Sequence, residues 1–142
     1  MRTREKAVIF DVDGTLALRT GDRSPYDMTR VGEDEPNEPV VEMLCTVAKA
    51  GDHKIVVTSG RDESARRQTE AWFALLDIPI DALFMRRIGD QRPDNVVKLE
   101  LYRRWIEPVY DVRWVVDDRF QVVSMWRREL GLLCAQVAEG NF

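Results

Sequence analysis

Short apolar runs alternate with longer amphipathic segments along most of the chain. The apolar runs are typical of strands buried on both faces of a sheet, and they cover residues 7–10, 54–58, 82–85, 112–116 and 132–137. The segments between them have apolar residues at helical spacing and predict helices over residues 37–50, 62–76, 94–106 and 120–130. Residues 17–36 are polar, rich in turn-forming residues and without sustained periodicity.

This alternation predicts a doubly wound α/β fold, in which a parallel sheet of Rossmann-like type carries helices on both faces. We expect residues 1–142 to form a single domain, because no repeat, linker or low-complexity tract interrupts the pattern. Four tryptophans occupy periodic apolar positions and are expected in the core, namely Trp72, Trp105, Trp114 and Trp126.

Composition and charge narrow the possible functions. The chain has 21 Lys+Arg against 25 Asp+Glu, a formal net charge of −4, which disfavours broad, non-specific binding to duplex nucleic acid. Only four of the basic residues are lysines, and arginine is the better planar partner for phosphate. No apolar stretch approaches the ~20 residues of a membrane span. We therefore expect a cytoplasmic protein with no membrane partner.

Polar residues follow three of the predicted strands directly. Because the carboxyl ends of parallel strands share one edge of a sheet, we expect these residues to lie together. Four carboxylates at that edge would repel one another, and oxygen-ligated Mg²⁺ is the usual resolution. The candidate metal ligands are Asp11, Asp13, Asp117 and Asp118, and Thr58, Ser59, Gly60 and Arg61 follow the second strand.

This set of residues suits phosphoryl transfer. Mg²⁺ would remove the repulsion between a carboxylate and a phosphate, so that Asp11 could attack phosphorus and form an aspartyl-phosphate. Asp13, two residues later, could protonate the leaving oxygen and then activate water. Ser59 would hydrogen-bond the phosphoryl group, and Lys98 would neutralise its developing charge. The sequence contains no EF-hand, P-loop or dinucleotide-binding motif.

Four motifs resemble those of the haloacid dehalogenase (HAD) phosphohydrolase superfamily, in the same order. They are Phe-Asp-Val-Asp-Gly-Thr-Leu (10–16), Val-Val-Thr-Ser-Gly-Arg (56–61), Lys98 and Val-Asp-Asp-Arg (116–119). From about Lys6 to the C-terminus, the chain is also similar to the 3′-phosphatase domain of phage-type polynucleotide kinase-phosphatases. The segments that carry this second similarity include Arg-Ser-Pro-Tyr-Asp (23–27), Arg-Pro-Asp-Asn-Val-Val-Lys (92–98) and residues 117–127.

The resemblance implies hydrolysis of 3′-phosphates, and also of 2′,3′-cyclic phosphates, on DNA or RNA ends, with a kinase module or a ligase as partner. It implies that Asp11 is the nucleophile and Asp13 the general acid/base, with Asp118 and its neighbour Asp117 at the metal. The residues that would bind substrate phosphate are Arg23, Thr58, Ser59, Gly60, Arg61, Asp94 and Lys98.

The segments 17–36 and 86–93 are too short to fold as a large cap domain over the site. An uncapped site can admit a polymer end, and arginine-rich segments at 66–67 and 86–92 could contact its backbone. Two alternatives remain open from the sequence. One is a small-molecule HAD phosphatase for nucleotides or sugar phosphates, and the other is a non-catalytic module that binds nucleic-acid ends.

Overall fold

The structure, a computed structural model, describes residues 3–142, so the first two residues of the expected domain lie outside the described part. The strands are β1 (Glu5–Asp11), β2 (Ala17–Leu18), β3 (Glu35–Pro36), β4 (Lys54–Asp62), β5 (Ala82–Arg86), β6 (Tyr110–Arg119) and β7 (Cys134–Gly140). The α-helices are α1 (Glu38–Ala50), α2 (Arg66–Leu75), α3 (Asp94–Leu101) and α4 (Phe120–Ser124).

Five strands form one sheet in the order β5–β4–β1–β6–β7, and each neighbouring pair is parallel. The chain moves from β1 outward to β4 and β5, and then returns to add β6 and β7 on the other side of β1. The strand order therefore reverses at β1, and the crevice at the carboxyl end of β1 is where ligands bind in such sheets. The predicted doubly wound α/β fold is confirmed.

Alternate residues of β1 face opposite sides of the sheet. Val8 and Phe10 pack in a cluster with Leu44 of α1 and Phe73 of α2. Ala7 and Ile9 belong to a second cluster on the other face, which includes residues of α4 and of the segment after α3, Val122 and Ile106 among them. A strand covered on both faces has no polar side to present to water, which explains its unbroken apolar run.

Two of the predicted helices change their winding before they end. The helix that starts at Asp94 continues as a π-helix over Tyr102–Ile106, and the one that starts at Phe120 continues as a π-helix over Met125–Glu129. In each, an amide bonds the carbonyl five residues earlier, as Glu107 N does to Tyr102 O at 2.8 Å. The extra residue per turn shifts the side chains that follow relative to the apolar stripe.

The tryptophan prediction is therefore only partly correct. Trp72 and Trp126 are buried, whereas Trp105, within the first π-helix, is 48% exposed.

The aperiodic segment 17–36 is nevertheless ordered around specific contacts. β2 and β3 pair antiparallel at its two ends, and a 3₁₀-helix covers Met28–Glu33. Asn37 occupies the N-cap position of α1, but its side chain donates to Thr15 O at 2.9 Å instead of capping the helix. Within residues 3–142 no helix combines the length and apolar character needed to cross a bilayer.

Candidate active site

The site lies at the carboxyl ends of the three central strands. Asp11 is the last residue of β1 and pairs in register with Thr58 of β4. Asp117 and Asp118 stand near the end of β6 on the other side of β1, and Lys98 reaches them from α3. The structure thus brings together residues that are more than a hundred positions apart in the sequence.

Three acids form a close, buried cluster. Asp11, Asp117 and Asp118 each offer a carboxylate oxygen, and these oxygens lie within 4.8 Å of one another. Burial raises the pKa of Asp11 well above its ordinary value, and the charge of Asp117 raises it further. Burial, assisted by the charge of Asp117, also raises the pKa of Asp118. The three ionised carboxylates therefore need a positive charge close to them.

Lys98 supplies one such charge. Its Nζ donates to Asp11 Oδ1 at 2.6 Å and to Asp117 Oδ2 at 3.0 Å. Burial by itself would lower the pKa of this lysine, but attraction by Asp11 and Asp117 outweighs it and the pKa is raised. A single ammonium does not balance three carboxylates. The remaining donors are hard, anionic oxygens, so the residues fit a Mg²⁺ ion.

The turn after β1 completes the cluster. Thr15 Oγ1 lies 2.9 Å from Asp11 Oδ2 and 3.1 Å from Asp118 Oδ1, so one hydroxyl bridges the two acids. Gly14 adopts a φ of +84°, and a Cβ at this position would collide with the carboxylate of Asp118. A glycine is needed here for both its conformation and its lack of a side chain. The order Asp-x-Asp-Gly-Thr thus has a direct spatial explanation.

Asp13 stands apart from the acid cluster, although the sequence prediction included it among the metal ligands. Its side chain is 46% exposed and is held by Arg61, which donates from Nε to Oδ2 at 2.9 Å and from Nη2 to Oδ1 at 2.7 Å. Among the described residues, the clustered carboxylates are those of Asp11, Asp117 and Asp118. The two aspartates of the first motif therefore have different environments.

A buried acid that the sequence analysis missed organises the arginines. Asp34 accepts from Arg23 Nε at 2.8 Å and Nη2 at 2.9 Å, and from Arg61 Nη2 at 3.0 Å. Its backbone carbonyl accepts from Trp72 Nε1 at 2.8 Å. All three ionic side chains are buried, and Arg23 and Arg61 are thereby held side by side near Asp13. A lone acid in an aperiodic loop carries no sequence signal for such a role.

The last residues of β4, where its pairing with β5 changes register between Ser59 and Asp62, contribute hydroxyl and amide groups. Ser59 Oγ accepts from the backbone N–H of Arg61 at 3.1 Å, which fixes the turn. Thr58 is fully buried, and its Oγ1 has no hydrogen-bond partner among the described residues. A buried hydroxyl without a partner is uncommon, and it is available to a ligand that enters from the same edge.

Asp94 lies beside the end of β4 and is bound to two arginines. It pairs with Arg86 and accepts from Arg119 Nη1 at 2.8 Å. A Cβ added to Gly60 would come within 2.6 Å of Asp94 Oδ1, so this glycine allows the close approach. Asp94 stays a predicted substrate-binding residue, and beside Gly60 it accepts hydrogen bonds from Arg86 and Arg119.

Comparison with known proteins agrees with this geometry. A sequence family described as "Polynucleotide kinase PNKP phosphatase domain", of the HAD type, matches residues 5–142. The chain belongs to this family. It is accordingly a HAD-type polynucleotide phosphatase domain of PNKP-like proteins, as the resemblance in the sequence implied.

Individual relatives of this PNKP-type domain are considerably longer. The chain is 40% identical over 124 residues, 86% of its length, to a protein of Autographa californica nuclear polyhedrosis virus that bears the provisional name bifunctional polynucleotide kinase/RNA ligase. It covers 18% of that protein. This domain therefore corresponds to a minor part of its viral relative.

Solved structures show the same relation. A structure of the Pnkp1/Rnl/Hen1 complex contains a chain that matches with a TM-score of 0.93 and 44% identity, over 99% of this chain and 48% of the other. A structure of the Pnkp1/Rnl/Hen1 RNA repair complex matches with a TM-score of 0.93 and 45% identity, over 98% and 44%. The PNKP-type domain thus spans about half the length of these solved chains.

Proposed function

We propose that the chain is a Mg²⁺-dependent 3′-phosphatase that removes the terminal 3′-phosphate from DNA or RNA through an aspartyl-phosphate on Asp11. The observation that carries this proposal is the division of the two motif aspartates. Asp11 lies in a buried acid cluster beside Lys98, while Asp13 lies outside it in contact with two arginines. The buried position of Asp11 supports a role as metal-assisted nucleophile, and the exposure of Asp13 supports a role as the acid that protonates the leaving group.

Asp11, Asp117 and Asp118 would hold the metal ion, which when bound offsets the negative charge of carboxylate and phosphate as they approach. An Asp11 carboxylate oxygen attacks phosphorus, and the bond from phosphorus to the 3′ oxygen breaks. Asp13 delivers a proton to that oxygen, which leaves as a hydroxyl. Water then attacks the phosphorus and gives a proton to Asp13, which releases Asp11 and inorganic phosphate.

Other residues of the site stabilise the group in transfer. Arg23 and Arg61 are neighbouring guanidinium groups whose planar donor pattern suits phosphate oxygens. Their donors are engaged by Asp34 and, for Arg61, by Asp13, so a phosphate would take donors in exchange for these carboxylates. Lys98 is kept charged by its two acidic partners and holds Asp11 in place. Thr58 and Ser59 supply hydroxyl groups at the same edge. These donors are positioned before the reaction, which is how electrostatic stabilisation lowers a barrier.

Repair of RNA ends is the context that we propose. The relatives include a protein named for polynucleotide kinase and RNA ligase functions, and chains from an RNA repair complex. A phosphatase that leaves a 3′-hydroxyl produces the end that a ligase uses. We propose that this chain acts with a kinase module and a ligase, on 3′-phosphate and 2′,3′-cyclic phosphate ends.

Phosphate release from a 3′-phosphorylated oligonucleotide in the presence of Mg²⁺ tests the proposal. The matched substrate is the same oligonucleotide with the phosphate at its 5′ end, and the matched variant is Asp11→Asn. We expect release from the 3′ substrate alone, its loss with EDTA, and no turnover by Asp11→Asn. Equal kcat/KM on a sugar phosphate would instead favour a small-molecule phosphatase, and absence of phosphate release from every substrate would leave only a binding module.

A further inference from the structure

A groove runs along β5, the strand at one edge of the sheet, and it lies outside the proposed reaction centre. Its volume is about 330 Å³, and it is bounded by β5, the start of α2, and α3 with its π-helical continuation. Its walls carry four arginines and three acids, in a chain whose overall charge is negative. The lining is therefore slightly more basic than the chain as a whole, which favours an anionic occupant over a cationic one.

Arg86 joins the groove to the reaction centre. Its Nε donates to Gly60 O at 2.7 Å, and its guanidinium also pairs with Asp94. Gly60 lies between Ser59 and Arg61, both of which are proposed to contact the terminal phosphate. One end of the groove thus lies beside the residues that are proposed to contact the terminal phosphate. An extended polynucleotide strand could therefore pass from the reaction centre into the groove.

Two exposed arginines of the groove can meet a ligand. Arg87 is exposed and makes no ion pair within residues 3–142. Arg92 binds Asp90 through Nε at 2.9 Å and Nη2 at 2.7 Å, and it also pairs with Glu100 at 2.8 Å. Its side chain is 45% exposed, so its open side can meet a backbone phosphate while these pairs are kept.

Trp105 supplies an aromatic face in the same groove. It is 48% exposed, whereas Trp72 and Trp126 are buried in the core. The guanidinium of Arg104 stacks over its ring at 5.4 Å from the centroid. Exposed aromatic rings among basic residues are the usual means of binding single strands, since every base can stack on them.

We propose that this groove binds the single-stranded polynucleotide on the 5′ side of the terminal phosphate. A base stacks on Trp105, and backbone phosphates contact Arg87 and Arg92. A volume of about 330 Å³ is too small for a duplex. This inference rests on the proposed 3′-phosphatase function and extends it, because it states how the enzyme distinguishes a polymer end from a mononucleotide.

A protein strand added to the edge of the sheet is a less suitable occupant. Arg66 Nη2 already donates to Leu83 O at 2.9 Å, so one of the carbonyls that strand addition would use is occupied. Arg66 also pairs with Glu63 and Glu70, which hold it across this edge. The edge is thus covered by a charged side chain, a common device against strand pairing.

Two measurements on the full chain test the groove, one of which needs no catalysis. The first is the affinity of a fluorescent single-stranded hexanucleotide with a 3′-hydroxyl end, measured by anisotropy, with RNA and DNA versions in parallel. The second is the ratio of kcat/KM on a 3′-phosphorylated hexanucleotide to kcat/KM on a 3′-mononucleotide. The variants are Trp105→Ala, Trp105→Phe and Arg87→Glu, with Arg128→Glu as the matched charge reversal outside the groove.

We expect Trp105→Ala and Arg87→Glu each to weaken hexanucleotide binding about tenfold and to lower the kcat/KM ratio by a similar factor. Trp105→Phe restores most of the loss, because it keeps an aromatic face, and Arg128→Glu changes neither quantity. Unchanged binding in the groove variants would overturn the inference, as would a wild-type ratio near one. If the enzyme releases no phosphate from either substrate, the proposed function fails, and the binding measurement still decides the groove.

Discussion

Arg61 holds Asp13 through two parallel hydrogen bonds and, with the same Nη2 atom, also contacts the buried Asp34 at 3.0 Å. The guanidinium therefore has its donors occupied before any substrate binds, since Nη1 donates to Thr69 Oγ1 at 2.9 Å. A substrate phosphate that takes a donor from Arg61 must compete with Asp13. The guanidinium of Arg61 thus couples phosphate binding to the position of Asp13, the proposed acid/base.

Replacement of Arg61 by lysine separates charge from geometry. Lysine keeps the positive charge but cannot make the parallel pair to Asp13 while also reaching Asp34 and Thr69. We expect kcat/KM on a 3′-phosphorylated oligonucleotide to fall at least tenfold in Arg61→Lys. The control is Arg113→Lys, at an exposed arginine outside the site. Wild-type kcat/KM in Arg61→Lys would show that the planar geometry of the guanidinium is not required.

The buried carboxylate of Asp34 should be a major determinant of stability. Asp34→Ala leaves Arg23 and Arg61 buried without their shared counter-ion. Loss of one partner from a buried ion pair costs about 3–5 kcal/mol. We expect a decrease of this size in the free energy of unfolding, measured by urea denaturation. Asp22→Ala, which removes an exposed acid paired with Arg30, should change it by less than about 1 kcal/mol.

Removal of one acid from the cluster should have opposite effects with and without metal. The pKa of Asp118 in the fold lies above its ordinary value of 3.8. As pH rises above 3.8, the unfolded chain loses this proton more readily than the fold does, so ionisation of Asp118 lowers the stability of the fold. Asp118→Asn should therefore be at least as stable as the wild type at pH 7 in EDTA. We expect saturating Mg²⁺ to raise the Tm of the wild type by about 5–10 °C, and that of the variant by much less.

Thermal melts with and without MgCl₂ measure both effects together. Asp111→Asn, an exposed acid that pairs with Arg113, is the control and should keep the full Mg²⁺ response. A full Mg²⁺-dependent rise in Tm in Asp118→Asn would contradict the assignment of this residue to the metal.

Gly60 and Gly21 provide a matched pair of glycine substitutions. A Cβ at Gly60 would come within 2.6 Å of Asp94, whereas a Cβ at Gly21 meets no atom within 4 Å. In Gly60→Ala we expect Asp94 to move away from Arg86 and Arg119, with a loss of about 1–3 kcal/mol in stability and a fall in kcat/KM. Gly21→Ala should leave both unchanged. Equal stability and equal kcat/KM in the two alanine variants would show that the close approach of Gly60 to Asp94 is not required.

The sheet could be predicted from the sequence because a strand that is buried on both faces consists of consecutive apolar residues. Ala7, Val8, Ile9 and Phe10 form an unbroken apolar run, and each faces one of two clusters that need apolar partners. The edge of the sheet that carries the site followed from the same reasoning, since polar residues come directly after the strands. The helical stretches that begin at Asp94 and Phe120 also end within one residue of the predicted positions. Their change to π winding did not follow from the sequence, because the residues of a π-helix look like those of an α-helix.

The site was predictable where its residues follow strands and unpredictable where they lie in a loop. Asp11, Asp117 and Asp118 lie at or near strand ends, and their grouping depends only on strand order. Asp34 lies within the aperiodic segment 17–36, and its role depends on long-range contacts with Arg61 and Trp72 that no local pattern encodes. Trp105 has the periodicity of a core residue, but the π-helix moves it to the surface.

The segment between Arg23 and Asp34 is fixed at both of its ends by one ion pair, although its sequence has no regular pattern. The exposed Ser24 and Tyr26 directly follow Arg23, whose Nη1 donates to the backbone carbonyls of Ser24 and Asp27. The same guanidinium therefore binds both this surface turn and the buried Asp34. A fluorescent label attached at Tyr26 would consequently lie on a segment that is coupled to Arg23.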